Sequence, residues 1–166
     1  MTFGMSLATF TFLHVLISLV GIASGLAVMY GFLNGRRLDR LTAIFLVFTV
    51  LTSVTGFGFP FTQLLPSHKV GIISLVLLAL AIPARYVFRL TGPWRLTYVF
   101  TAAMALYLNC FVLVVQLFQK VPALKALAPT QSERPFAITQ LAVLALFVLL
   151  TIIAAVRFRG EQLRMA

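Results

Sequence analysis

Carboxylate side chains are scarce in this chain. Its 166 residues include only Asp39, Glu133 and Glu161, and all three flank long apolar runs. Proton relays and cation-coupled transport inside a bilayer commonly use ionisable groups within the membrane-spanning segments. The sequence offers no visible carboxylate machinery for either process.

Cysteine and histidine are scarce as well. A single cysteine, Cys110, permits no intrachain disulfide, and it lies in an apolar run where a small buried side chain is the expected role. The two histidines, His14 and His68, have no Cys/His spacing of the kind that binds structural zinc. We predict no metal site.

The motifs of common soluble enzymes are missing too. The sequence contains no glycine loop that would cradle a phosphate and no nucleophile elbow, so we lean against an enzymatic activity. Charged residues make up 10% of the chain, against roughly a quarter in ordinary soluble domains. The net charge of +10 does not indicate nucleic-acid binding, because the basic residues punctuate apolar runs instead of forming a basic face.

Long apolar runs dominate what is present, since 61% of the residues are hydrophobic. A membrane-spanning helix needs about 20 such residues. We therefore predict an all-α integral membrane protein, with residues 1–166 forming a single domain that is a bundle of five transmembrane helices. The predicted helices are approximately 7–33, 41–59, 70–88, 93–118 and 136–156.

The third predicted span has the shortest uncharged core, because it lies between Lys69 and Arg85. We expect Arg85 to snorkel to the cytoplasmic interface, and His68 to face solvent in the preceding loop. We expect Asp39 to pair locally with its arginine neighbours.

Basic residues fall on alternate sides of the five runs in unequal numbers. One side holds nine and the other four, and the excess of basic residues marks the cytoplasmic side. The protein should therefore lie in its membrane with its N-terminus outside and its C-terminus cytoplasmic. The nine are Arg36, Arg37, Arg40, Arg85, Arg89, Arg95, Arg157, Arg159 and Arg164; the four are Lys69, Lys120, Lys125 and Arg134.

Neutral polar side chains concentrate in the outer halves of the predicted spans. His14, Asn109, Gln116 and Gln140 come from three different helices but reach the same half of the bilayer. Polar groups that face lipid are costly, so we predict that these four line one pocket that opens towards the outer leaflet. Within this set, His14 is the only residue whose charge can change near neutral pH.

Small residues form a stripe on the first predicted helix. Ser18, Gly21 and Gly25 share one face, and such stripes allow membrane helices to approach closely. We predict that this stripe packs against another helix of the bundle.

Two segments resemble a known group of proteins. They are TSVTGFGFP (Thr52–Pro60) and YLNCFVLVVQLFQKVPALKALAPTQSERPF (Tyr107–Phe136), and they are similar to small bacterial inner-membrane proteins without an established activity. The resemblance implies a compact helical protein of the bacterial inner (cytoplasmic) membrane, and it carries no cofactor or catalytic residue. Quinone-linked subunits with cytochrome b are a poor match, because they need histidine pairs at matching depths in the core.

Two functional hypotheses remain open from the sequence. The first is a non-catalytic bundle that serves as an accessory or assembly subunit, with lipid and other membrane-protein subunits as its partners. The alternative is a module that binds a lipid-soluble ligand or redox cofactor, quinone or haem, in the outer pocket. A small transporter is a weaker third hypothesis, because five crossings are few and no charged residue marks a route.

The charge asymmetry generates a test of orientation. Reporter fusions at Ala166 and within the loop around Pro129 should report opposite compartments, with Ala166 cytoplasmic, because basic flanks are retained on the cytoplasmic side. Reporters in the same compartment would remove the third or the fifth predicted span.

Overall fold

The computed structural model describes residues 4–59 and 66–159, and these residues form helices joined by turns. In chain order the helices are α1 (Leu7–Leu33), α2 (Asp39–Gly56), α3 (Pro66–Tyr86), α4 (Trp94–Lys120), α5 (Pro122–Leu127) and α6 (Arg134–Arg157). All except the short α5 are long and apolar enough to cross a membrane. The described chain is thus all-helical, with five candidate membrane spans.

The ends of the helices differ from the sequence prediction by up to four residues. The largest difference is in α3, which was predicted to begin at residue 70 but begins at Pro66. Proline is tolerated in the first turn of a helix, where its missing N–H has no helical partner, so Ser67, His68 and Lys69 join the helix. Helix α3 also contains Pro83 close to its C-terminus.

Tight turns connect the helices at one end of the bundle. Gly35 has a φ of 64°, a left-handed conformation that lets α1 end and α2 begin within five residues. The turn between α3 and α4 uses left-handed backbone at Arg89 and Leu90. It is closed by Phe88 and Trp94, whose rings stack with centroids 3.8 Å apart.

The turn before α6 is organised by Glu133. The residue at the N-cap position of this helix is Glu133. The Glu133 carboxylate accepts hydrogen bonds from the Thr130 N–H, the Thr130 hydroxyl and the Ser132 N–H. A carboxylate can accept several donors at once, and this allows it to shape the turn that leads into the helix.

Helix α4 is the most enclosed of the five long helices. Its buried face contains small residues such as Ala102, Ala103 and Ala105, and it packs against α1, α3 and α6. Helix α6 lies at the periphery, where Gln140, Phe147 and Ala154 are its buried residues. The bundle is therefore built around α4.

Two glycines of helix α1 face other helices of the bundle at different distances. A Cβ atom on Gly21 would lie 3.5 Å from the backbone of Phe48 in α2, which is ordinary contact. A Cβ atom on Gly25 would lie 2.5 Å from Leu106 Cδ1 and 2.8 Å from the Phe45 ring. The third member of the predicted stripe, Ser18, is half-buried and donates to the backbone carbonyl of His14.

This difference between the two glycines can be tested. Gly25→Ala should destabilise the protein by about 1 to 3 kcal/mol, because the added methyl group overpacks the junction of α1, α2 and α4. Gly21→Ala should be neutral or stabilising, because its methyl group has room and alanine favours a helix. Thermal unfolding in detergent measures both. Equal losses in the two variants would contradict the assigned packing.

Candidate functional site

The end of the bundle where α1, α3 and α6 finish and α2 and α4 begin is called here the arginine-rich end. The other end is the opposite end. Most of the site residues predicted from the sequence lie in the half of the bundle towards the opposite end.

His14 links α1 to α2. Its Nδ1 atom lies 2.8 Å from the Thr55 hydroxyl oxygen, and its ring meets the Phe59 ring edge-on with centroids 5.2 Å apart. The side chain is half-buried. One ring nitrogen of His14 is therefore already engaged in a contact between helices.

Asn109 and Gln140 link two other pairs of helices. Asn109 is buried and its Nδ2 atom donates to the Thr49 hydroxyl at 3.4 Å, a long bond from α4 to α2. Gln140 donates from Nε2 to the Phe111 carbonyl oxygen at 3.2 Å and so joins α6 to α4. Within the described residues, the Gln140 Oε1 atom is buried without a hydrogen-bond partner.

Gln116 differs from the other three predicted site residues. Its side chain is half-buried, and it forms no hydrogen bond within the described part of the chain. Across residues 4–59 and 66–159, no hydrogen bond joins any two of the four residues His14, Asn109, Gln116 and Gln140. The structure assigns His14, Asn109 and Gln140 to three separate helix contacts.

His68 was expected to face solvent, and that expectation is wrong. Its side chain is 3% exposed, and its ring packs on Phe57 with centroids 5.5 Å apart. The early start of α3 carries His68 out of the loop and against the end of α2. His14 and His68 thus contact different phenylalanines, Phe59 and Phe57, that follow α2.

A second group of polar residues, at the arginine-rich end, is centred on Arg85. This side chain is only 4% exposed, so the expectation that it snorkels into the interface is wrong. Its guanidinium donates to the Asp39 carboxylate, which belongs to α2. It also lies 5.7 Å from the centre of the Tyr98 ring in α4, a cation–π geometry.

Asp39 has a wider role than local pairing with its arginine neighbours. One oxygen of its carboxylate lies 3.9 Å from Arg37 Nε, a local contact, but the same oxygen also receives the Arg85 guanidinium. The two partners differ in environment, because the Asp39 side chain is 71% exposed whereas Arg85 is buried. In this pair, a buried guanidinium is bound by a carboxylate that is accessible to water.

Other arginines at this end bind the last carbonyl groups of helices. Arg95 donates from one nitrogen to the Ala155 and Phe158 carbonyl oxygens at the end of α6. Arg157 donates to the Leu33 carbonyl oxygen at the end of α1, at 3.4 Å. The C-terminus of a helix carries unpaired carbonyls and partial negative charge, so arginine is a suitable partner there.

A narrow cleft opens beside Arg85. Its interior has no room for a water molecule. Apolar residues from α1, from the turn before α2 and from the segment after α6 form part of its walls. Its polar lining consists of Arg36, Arg37, Thr42, Arg85 and Tyr98. The sequence carried one signal of this site, because an ionisable residue inside an apolar run is a functional candidate by default.

These elements define the class of protein. Residues 4–59 and 66–159 form a helical bundle with five helices long and apolar enough to cross a membrane, polar links between helices, and a cluster of charges at one end. No family model matches the chain, and comparison with curated proteins and with solved structures found no match.

The two members of the Asp39–Arg85 pair are buried to different extents, so the loss of stability should differ between their substitutions. Asp39→Asn should cost about 2 kcal/mol, because it leaves Arg85 buried without its counter-charge. Arg85→Met should cost less than about 1 kcal/mol, because the carboxylate it leaves behind is hydrated and methionine fills apolar space. The double variant should resemble Arg85→Met alone.

Thermal or denaturant unfolding of the purified variants in detergent measures these differences. Arg40→Gln is the control for a change of charge in the same segment, since Arg40 is exposed. A larger loss in Arg85→Met than in Asp39→Asn would mean that the guanidinium is not the buried member of the pair.

Proposed function

We propose that this chain is a non-catalytic membrane subunit that takes part in the assembly or stability of a larger membrane complex. The observation that carries the proposal is that polar side chains within the candidate spans link helices to each other. Hydrogen bonds of this kind join helices inside a bilayer. The contacts of His14, Asn109 and Gln140 each tie together two helices, which suits a structural bundle.

Helix α6 is the natural surface for a partner subunit. Only three of its 24 residues are buried, whereas nine are buried in α4. Its outward faces carry large apolar side chains, among them Leu141 and Ile152, which are 62% and 55% exposed. Another membrane helix that packed there would bury this surface without displacing anything in the bundle.

Photo-crosslinking in native membranes tests the proposal. A photoreactive amino acid at Leu141 or Ile152 should give one discrete adduct with the same partner protein from both positions. The matched control is Val47 in α2, which is 54% exposed and equally apolar. It should give no such adduct, because α2 is not the proposed partner surface.

Intact-mass analysis of gently solubilised membranes provides the complementary measurement. A defined complex containing this chain is expected. A lone monomer, together with the absence of α6 adducts, would overturn the accessory role. A Soret band, or quinone in a solvent extract of the purified protein, would overturn the non-catalytic assignment in favour of a redox module.

A further inference from the structure

The cleft at the arginine-rich end has hydrogen-bond donors that its own residues do not use. A guanidinium has five N–H donors. Within the described residues, Arg85 forms one hydrogen bond, to Asp39. Its other N–H donors lie in a protein environment. An acceptor that reached them would bind strongly, because hydrogen bonds to a charged group are stronger than those between neutral groups.

Tyr98 supplies a second donor beside Arg85. Its side chain is fully buried, and its hydroxyl faces Thr42 without a well-formed hydrogen bond within residues 4–59 and 66–159. Buried polar groups of native proteins nearly always have a partner, so an unpartnered hydroxyl in the wall of a cleft calls for an explanation. An acceptor bound in the cleft would satisfy it.

Basic side chains line the cleft. Arg37 and Arg85 share the Asp39 carboxylate, whereas Arg36 forms no ion pair within the described residues. The Arg36 guanidinium is therefore available to an anion. Because Asp39 is largely exposed, its contribution to holding Arg85 is weakened by water.

We propose that this cleft binds a phosphate group, with Arg36 and Arg85 pairing with its oxygens and Tyr98 donating a further hydrogen bond. Arginine and hydroxyl donors together suit the several acceptor oxygens of a phosphate. The cleft has no room for a water molecule as it stands, so binding requires the lining side chains to move apart and Arg85 to exchange the Asp39 carboxylate for phosphate oxygens. An anionic lipid headgroup and a soluble phosphate compound share this chemistry.

Binding is measured with the purified full chain. One arm adds phosphatidylglycerol to protein in phosphatidylcholine nanodiscs and detects bound lipid by native mass spectrometry, with the melting temperature as a second readout. The other arm adds inorganic phosphate to the same nanodiscs without phosphatidylglycerol. Stabilisation in the first arm alone indicates a lipid headgroup, and stabilisation by inorganic phosphate indicates a soluble ligand.

Four substitutions locate the bound group. Arg36→Gln and Tyr98→Phe should weaken the apparent affinity for the effective probe by roughly tenfold and by a few fold respectively, as expected for losing a charged and a neutral hydrogen bond. Arg40→Gln is the matched control for Arg36→Gln, because it removes the same charge from the same segment outside the cleft lining. It should leave the affinity within twofold.

Asp39→Asn should act in the opposite direction. It removes the carboxylate that competes for Arg85, so the apparent affinity should rise, and the probe should restore part of the stability that this variant has lost. Tyr98→Phe removes only a hydroxyl and keeps the ring beneath Arg85, so it remains informative if Asp39→Asn folds poorly.

Two results would overturn the proposal. Equal losses in Arg36→Gln and Arg40→Gln would mean that anions are attracted by the general charge of this end and not by the cleft. Failure of both probes to bind or to stabilise the protein would mean that the cleft is not a phosphate site.

Discussion

The buried guanidinium of Arg85 is the constraint on which the arginine-rich end depends. A cation taken out of water must be paired, and its partner must come from elsewhere in the chain. Asp39 lies 46 residues earlier, on α2, and Tyr98 follows on α4. Satisfying one side chain of α3 therefore fixes the positions of three helices at the same end of the bundle.

Two further arginines at this end bind the backbone instead of a side chain. Arg95 and Arg157 bind carbonyl groups at the ends of α6 and α1. Basic residues at this end are thus suited to two tasks. They supply the charge asymmetry from which we predict the orientation, and they satisfy the carbonyl groups that helix ends leave unpaired.

Packing in the middle of the bundle follows a different rule. Lipid is as apolar as leucine, so helices gain little from burying apolar side chains against each other and depend on close contact. Gly25 against Leu106 and Phe45, and the alanines of α4, provide that contact. Small residues allow the helices to approach closely. Single hydrogen bonds between helices, such as that of Asn109 with Thr49, help to fix their relative orientation.

The sequence was sufficient for the broad architecture. Apolar runs of about 20 residues are a local property, and the need to satisfy every backbone group in lipid leaves helices as the simple solution. The five spans could therefore be placed to within a few residues. The largest error, at the start of α3, arose because Pro66 was assigned to a loop although proline is acceptable in a first turn.

Only the tertiary structure decided which polar groups meet. Depth in the bilayer can be counted along a helix, so the sequence indicated that His14, Asn109 and Gln140 lie in one half of the membrane. The rotation of each helix about its axis and the identity of its neighbouring helix depend on packing. As a result, the three side chains contact different partners. For the same reason, no local sequence pattern predicts the pairing of Arg85 with Asp39 and Tyr98. These residues lie on three helices that become neighbours only in the folded bundle.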